Sequence, residues 1–224
     1  MKREIKTTSD GSKTLFINDL EENYHSHHGA LQEAQHVFID NGLKLLNDYE
    51  INILELGFGT GLNVLVTIDE FLKTDKNHVF HYFTIEKYPV QDNEVKDLAY
   101  DSLFEGAQFS EIYQKIHTCE WNITTEILPR FYFTKYQCDF FELEKLNLPA
   151  IDLVYYDCFG ARVQPDLWEK PLFKMVTDTM KKGGLLTTYS SKGSVRRILQ
   201  ELGMHVEKKA GPPGKREMIN AVKE

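Results

Sequence analysis

No stretch of about 18 consecutive apolar residues occurs in this 224-residue chain, so no segment has the length a membrane-crossing helix requires. The opening Met1-Lys2-Arg3-Glu4-Ile5-Lys6 is polar and lacks the apolar core of a secretion signal, which makes a cytoplasmic location the expectation. Cysteine is scarce. Cys119, Cys138 and Cys158 form no C-x-x-C pair and lie in or beside apolar segments, which argues against a disulfide framework and for buried or half-buried thiols. Linker composition is missing as well. The length suits one hydrophobic core, read as a main domain over residues 49–224 with an N-terminal extension over 1–48. Positive charge is in deficit overall, with a net charge of −8, but it is unevenly spread. Residues 170–224 hold 12 Lys or Arg against 5 Asp or Glu, and residues 1–169 hold 14 against 29. Such asymmetry suits a one-sided footprint for a polyanion, or simply a solvated basic face.

Glycine, by contrast, is concentrated at one informative place. The apolar run Ile51-Asn52-Ile53-Leu54-Glu55-Leu56 breaks into Gly57-Phe58-Gly59-Thr60-Gly61 and resumes with helical spacing at Leu62, Leu65, Val66 and Ile68. Alternate glycines let a backbone turn sharply and approach a ligand with no Cβ in the way, and the helix that follows presents its first N–H groups to polar atoms. The spacing differs from the G-x-G-x-x-G of dinucleotide sites, and Glu55 would oppose a pyrophosphate. An acid there suits the cationic methionine end of S-adenosylmethionine, by charge or through water; a ligand-free turn is the plainer alternative.

Further strands also close on acids. Val79–Ile85 leads into Glu86, where doubly wound sheets reach ribose hydroxyls. Pro89 precedes a helical run from Gln91 to about Leu103, and Pro129-Arg130 reads as a turn between two short strands within 123–141. Asp139 ends that region and could accept from an adenine amino group or serve as a turn residue. The run Ile151–Tyr156 leads into Asp157. Pro165 is expected to start a helix through Leu172, Phe173 and Val176, stopped by Lys181-Lys182-Gly183-Gly184 ahead of a strand over 185–189. A helix over 194–202 closes on Gly203, and two strands, 204–209 and 217–222, flank Gly211-Pro212-Pro213-Gly214-Lys215-Arg216. Strands alternating with helices and ending in a hairpin predict an α/β fold of the class I S-adenosylmethionine-dependent methyltransferase plan. That plan is Rossmann-like, with a mostly parallel sheet and a C-terminal antiparallel hairpin.

Taken together, these segments resemble the methyltransferase domain of the MnmC family, bacterial tRNA enzymes that complete 5-methylaminomethyl-2-thiouridine at the wobble position. The matching segments are Tyr24 to Phe38 with its Tyr24 and Glu33, Gly57 to Asn63, Glu86-Lys87-Tyr88-Pro89, Asp157 and Phe159 with Pro165-Asp166 and Trp168, and Lys215 to Met218. One departure is Ala161, where the family usually has proline. The resemblance implies S-adenosylmethionine as cofactor, tRNA as partner, and no metal, flavin or obligate protein partner. It is to the stand-alone form, without the flavin-dependent domain of bifunctional members. It implies that the N-terminal extension folds over the cofactor, with Tyr24 and Glu33 facing it. Phe58, Thr60, Asn63 and Lys87 join the glycines, Glu55, Glu86 and Asp139 around that cofactor.

The reaction implied is attack of a primary amine on a sulfonium methyl. Asp157, beside the glycine loop, is the candidate to orient the amine and take its proton, a turn or cap role being the alternative. Phe159 and Trp168 could wall a base pocket by stacking, and Lys215 and Arg216, between Pro-Gly turns, could meet phosphates, with Arg196, Arg197, Lys208 and Lys209 as a possible extension. His25, His27, His28 and His36 crowd together, but no Cys or acid stands at ligand spacing nearby, so no metal is expected. A small-amine methyltransferase of the same fold is the alternative function.

Overall fold

The computed structural model describes residues 2–74 and 77–224; Met1, Asp75 and Lys76 lie outside the described residues. The chain opens with a small antiparallel sheet of β1 (Arg3–Thr7), β2 (Lys13–Ile17) and β3 (Glu22–Asn23). A short helix α1 (Ala30–Ala34) then runs on into a π-helical segment over Gln35–Asp40. The main sheet and its helices follow as β4 (Glu50–Leu56), α2 (Leu62–Lys73), β5 (Val79–Ile85), α3 (Asp92–Leu98), α4 (Gln108–Thr118), β6 (Thr125–Leu128) and β7 (Phe131–Tyr136). The second half holds β8 (Ile151–Tyr156), α5 (Lys170–Thr179), β9 (Met180–Thr188), α6 (Gly193–Glu201), β10 (Met204–Ala210) and β11 (Glu217–Lys223).

The eight-stranded order is β10-β11-β9-β8-β4-β5-β7-β6. The five inner strands from β9 to β7 pair in parallel, while β6, β11 and β10 pair antiparallel to their neighbours. The period of two along each strand decides which helical layer a side chain meets. Ile51 and Ile53 of β4, Phe80 and Tyr82 of β5, and Leu153 and Tyr155 of β8 pack in one cluster with α2, α4 and the π-helical segment. Leu54 and Leu56, Phe83 and Ile85, and Val154 and Tyr156 turn the other way, toward α5 and α6. Burial on both faces is why these strands read as continuous apolar runs. Glu55 shares the parity of Ile51 and Ile53, so the same rule turns its carboxyl inward to the α2 side. Leu15, Ala30, Ala34, Val37 and Phe38 join that first cluster, so the N-terminal segment shares the main core.

Several boundaries differ from the sequence expectation for physical reasons. The helix expected over 91–103 ends at Leu98, because Ala99 takes a left-handed φ of +50°, and a 3-10 turn follows. The spacing of Phe109, Ile112, Tyr113 and Ile116 marks α4, a helix not anticipated in the sequence reading. The helix expected from Pro165 breaks into a 3-10 turn over Pro165–Trp168 and then α5, with Glu169 extended between them. Pro171 has no N–H to return to the Leu167 carbonyl, and the Tyr156 hydroxyl donates to that carbonyl instead. Lys181 to Gly184 do not form a loop but begin β9, at a register irregularity against β8.

Candidate active site

Strand order reverses between β4 and β8. The chain runs from β4 to β5 and β7 on one side and returns to β8 and β9 on the other, so the loops after β4 and β8 diverge and leave a crevice at the carboxyl edge. A cavity of about 660 Å³ opens there. Its walls are the glycine loop, Glu86 to Tyr88 after β5, Asp139 to Phe141 after β7, Asp157 to Gly160 after β8, and a cover from Glu22 to His28, Glu33, Gly214 and Lys215.

The glycine loop is possible only with glycine. Gly57, Gly59 and Gly61 have φ of +102°, +49° and +77°, and a Cβ on Gly57 would stand 2.9 Å from the Asp157 carbonyl oxygen. Phe58 turns into the core against His117, Trp121 and Phe133, which anchors the loop from below. The buried Thr60 offers its carbonyl oxygen to His117 Nε2 at 3.2 Å. The Gly59 N–H donates to Glu86 Oε2 at 3.0 Å, and the Tyr88 N–H donates to Oε1 at 2.7 Å. Glu86 thus ties the end of β5 to the loop with its carboxyl facing the cavity.

The strand-end acids occupy different environments. Asp157 has part of its surface on the cavity and protein around the rest; Asn63 Nδ2 donates to its Oδ2 at 2.8 Å. Burial pushes its carboxyl up to about 7, Glu33 adds to the rise, and the Asn63 hydrogen bond and Lys215 charge oppose it. Glu55, expected against the cofactor, lies beneath the loop with no exposed surface and is not part of the cavity wall. Thr84 Oγ1 donates to its Oε2 at 2.7 Å, and burial raises its carboxyl to about 8. Asp139 lines the cavity but follows rather than ends β7: it caps the 3-10 turn Phe140–Lys145 through the Phe141 N–H and pairs with Lys87 at 2.8 Å. Burial disfavours its ionisation, but the Lys87 bond and charge and the Phe141 N–H outweigh burial and hold the carboxyl below its ordinary range.

The cover joins the chain's two ends. Tyr24 lies over Gly59 and meets Phe159 edge-on at 5.0 Å. Glu33 accepts from the Ser26 N–H at 2.9 Å and from Lys215 Nζ at 2.6 Å. Lys215 also sits 3.8 Å above the Tyr189 ring, whose hydroxyl donates to the Cys158 carbonyl at 2.7 Å. The sequence reading passed over Tyr189 and His25 as cavity residues. A tyrosine after a strand was visible, but its partner Lys215 comes from another strand pair, which no local pattern reveals.

Known proteins resemble this chain in sequence and in fold. Residues 132–224 match the model of a family described as S-adenosyl-L-methionine-dependent methyltransferase. The chain is 32% identical over 212 residues to the tRNA 5-methylaminomethyl-2-thiouridine biosynthesis bifunctional protein MnmC of Idiomarina loihiensis, covering 88% of this chain and 34% of that one. Its counterpart in Leptospira interrogans is 31% identical over 206 residues, covering 88% and 32%. The chain thus spans about a third of the length of the curated relatives it matches. The crystal structure of MnmC2 from Aquifex aeolicus superposes with a TM-score of 0.78 at 23% identity, covering 99% of this chain and 70% of that one. A probable spermidine synthase from Corynebacterium glutamicum gives 0.54 at 14% identity, over 98% and 76%.

This chain has the class I S-adenosylmethionine-dependent methyltransferase fold. The resemblance to MnmC seen in its motifs extends along most of its length.

Some expected substrate contacts fall elsewhere in the chain. Trp168 is buried at 4% exposure, packed on Tyr156, Phe173 and Tyr189; its Nε1 donates to the Phe159 carbonyl at 2.7 Å, so it anchors the loop rather than walling the cavity. Phe159 does face the cavity. Lys215 points into the cavity and not outward, whereas Arg216 is exposed on the turn and outside the cavity wall. Lys208 and Lys209 pair with Glu217 and Glu207. Among the described residues no group of three or more His, Cys, Asp or Glu is arranged to hold a metal, and no helix is long and apolar enough to cross a membrane.

Proposed function

We propose that this methyltransferase transfers the methyl of S-adenosylmethionine to the aminomethyl nitrogen of 5-aminomethyl-2-thiouridine at the tRNA wobble position, giving 5-methylaminomethyl-2-thiouridine. The observation that carries the reading is Asp157, a carboxyl raised to about 7 on the wall of a cavity bounded by the glycine loop. The relatives' names, which refer to biosynthesis of that tRNA nucleoside, supply the substrate class.

The residues present fit the cofactor. Three positive-φ glycines keep side chains out of the space beside β4, Glu86 keeps lone pairs for ribose hydroxyls, and Asp139 borders the same cavity for an adenine amino group. Bound there, S-adenosylmethionine supplies an electrophilic methyl on a sulfonium. The chain's own task is to present a neutral amine. With an ordinary alkylammonium pKa of ~10.4, deprotonation near neutral pH costs roughly 4 to 5 kcal/mol. Asp157 accepts a hydrogen bond from the amine, takes its proton and holds its lone pair toward the methyl. Tyr24 and Phe159 close the cavity from the cover side.

Nucleoside mass spectrometry on tRNA carrying 5-aminomethyl-2-thiouridine, incubated with the protein and S-adenosylmethionine, tests this. One added methyl on that nucleoside is expected, and Asp157→Asn should lower the rate on the order of 10² to 10⁴-fold while cofactor binding persists. Cofactor binding without any methylated nucleoside would sink the tRNA reading. The second reading, a small amine as acceptor, has one observation in its favour: Lys170, Lys174, Lys181, Lys208, Lys209 and Lys215 of the basic quarter each pair with a carboxylate. Salt separates the two, because tRNA binding falls steeply with ionic strength and binding of a small amine barely responds.

A further inference from the structure

Glu55 and Asp157 share one neighbouring side chain. Asn63, from the first turn of α2, donates from Nδ2 to Asp157 Oδ2 at 2.8 Å, and its amide also lies against the Glu55 carboxyl. Glu55 has no exposed surface, the groups that donate toward it, the Thr84 hydroxyl first among them, are neutral, and no Lys, Arg or His pairs with it among the described residues. Three buried atoms in this cluster, Glu55 Oε1, the Tyr82 hydroxyl and Asn63 Oδ1, lack a hydrogen-bond partner. A proton on Oε1 would add a donor to that cluster; an ionised carboxyl would add none. Burying an unpaired carboxylate beside a second carboxylate is costly, and a proton removes the cost.

We propose that Glu55 is a positioning residue held as a neutral carboxylic acid, so that the negative charge of the Glu55–Asn63–Asp157 unit resides on Asp157, at the cavity wall. The groups facing Glu55 pull in both directions, and burial decides. Burial is the largest influence, and with the repulsion of Asp157 it raises the carboxyl to about 8 against the opposing hydrogen bonds of Thr84, Asn63 and Tyr82, while Tyr82 from β5 and Tyr155 from β8 are neutral phenols that supply no compensating positive charge. The role assigned to Asp157 in this unit rests on the function proposed above; the charge state of Glu55 does not.

The test compares wild type, Glu55→Gln and Asp157→Asn, with S-adenosylhomocysteine as the titrated ligand. Glutamine reproduces a protonated acid, with one donor and one acceptor group in the same space. Glu55→Gln should bind S-adenosylhomocysteine within about threefold of wild type by calorimetry and retain methyl transfer, and the infrared carbonyl band of a protonated carboxylic acid that Asp157→Asn retains should be missing from it at neutral pH. The sign of the stability effect follows from linkage. A carboxyl whose folded pKa is raised takes up a proton on folding, so its stabilisation is complete below its unfolded value and is lost as pH rises toward about 8. The melting temperature of Glu55→Gln should therefore gain on wild type from roughly pH 5 to about pH 8 and hold a constant difference above that. A loss of S-adenosylhomocysteine affinity of about tenfold or more in Glu55→Gln, or a stability difference independent of pH, would overturn the proposal by showing an anionic Glu55. Asp157→Asn keeps the Glu55 infrared band in either case. A failure of Asp157 to matter for methyl transfer therefore reports on the function and not on Glu55.

Discussion

The two walls of the cavity are built in opposite ways. The sheet-side wall consists of strand ends and the glycine loop, each formed by residues close in sequence and seated on strands buried on both faces. The cover is assembled from residues far apart in the chain, with Glu33 meeting Lys215 and, just behind it, His36 Nε2 meeting the Ala210 carbonyl at 2.8 Å. Local backbone geometry holds the first wall; the second rests on an N-terminal segment seated in the main core through Leu15, Ala30 and Ala34, and its cavity-facing side is closed by a few polar contacts across long sequence separation. Such contacts break at lower free energy than a buried sheet, so the cover is the part expected to open for ligand entry.

Gly57→Ala should break the first wall. The substitution combines a left-handed φ with a Cβ 2.9 Å from a backbone oxygen, and it should cost about 3 kcal/mol in urea unfolding and abolish S-adenosylhomocysteine binding. Unchanged affinity would mean the loop can re-form around a side chain.

The cover should respond more gently and with a characteristic sign. Lys215 lowers the Asp157 carboxyl and Glu33 raises it, so Lys215→Met should move the ascending limb of the rate–pH profile to higher pH and Glu33→Gln to lower pH. Each should also cost the partly buried ion pair about 1 kcal/mol in a double-mutant cycle. Shifts of the same sign in both variants would show that the pair acts only by packing.

The smallest effect concerns His25, on the cover side. Burial holds its imidazole down to about 4, against an opposing pull from Glu33 and Asp10. Because the folded pKa lies below 6.5, stability is complete above that value and is lost as pH falls toward about 4. His25→Gln should therefore lose less of its melting temperature than wild type between roughly pH 7 and about pH 5. Parallel acid losses in both proteins would place the sensitivity elsewhere.

How much could be read from residues alone divides along the same line. Apolar runs closing on acids located β4, β5 and β8, and the glycine spacing located the cavity, because strand period and positive φ are properties of a few consecutive residues. The position of Asp157 at a strand end on the cavity was legible for the same reason. Trp168 was misplaced because an aromatic beside a functional loop looks the same whether it faces a cavity or the core; the deciding contact, its Nε1 to the Phe159 carbonyl, depends on how the loop folds back. Lys215 was assigned to phosphate contact from its turn composition, while its actual partners come from the opposite end of the chain and from β9.

The chain's own pattern therefore determined the layered α/β plan, the strand that carries each acid and the glycine turn, since these depend on neighbours within a few residues. Which acids face the cavity, which carboxyl is raised by burial, and which cation reaches Asp157 were decided by tertiary packing. The reason is that solvation and charge fields are set by everything within several ångströms, whatever its distance along the sequence.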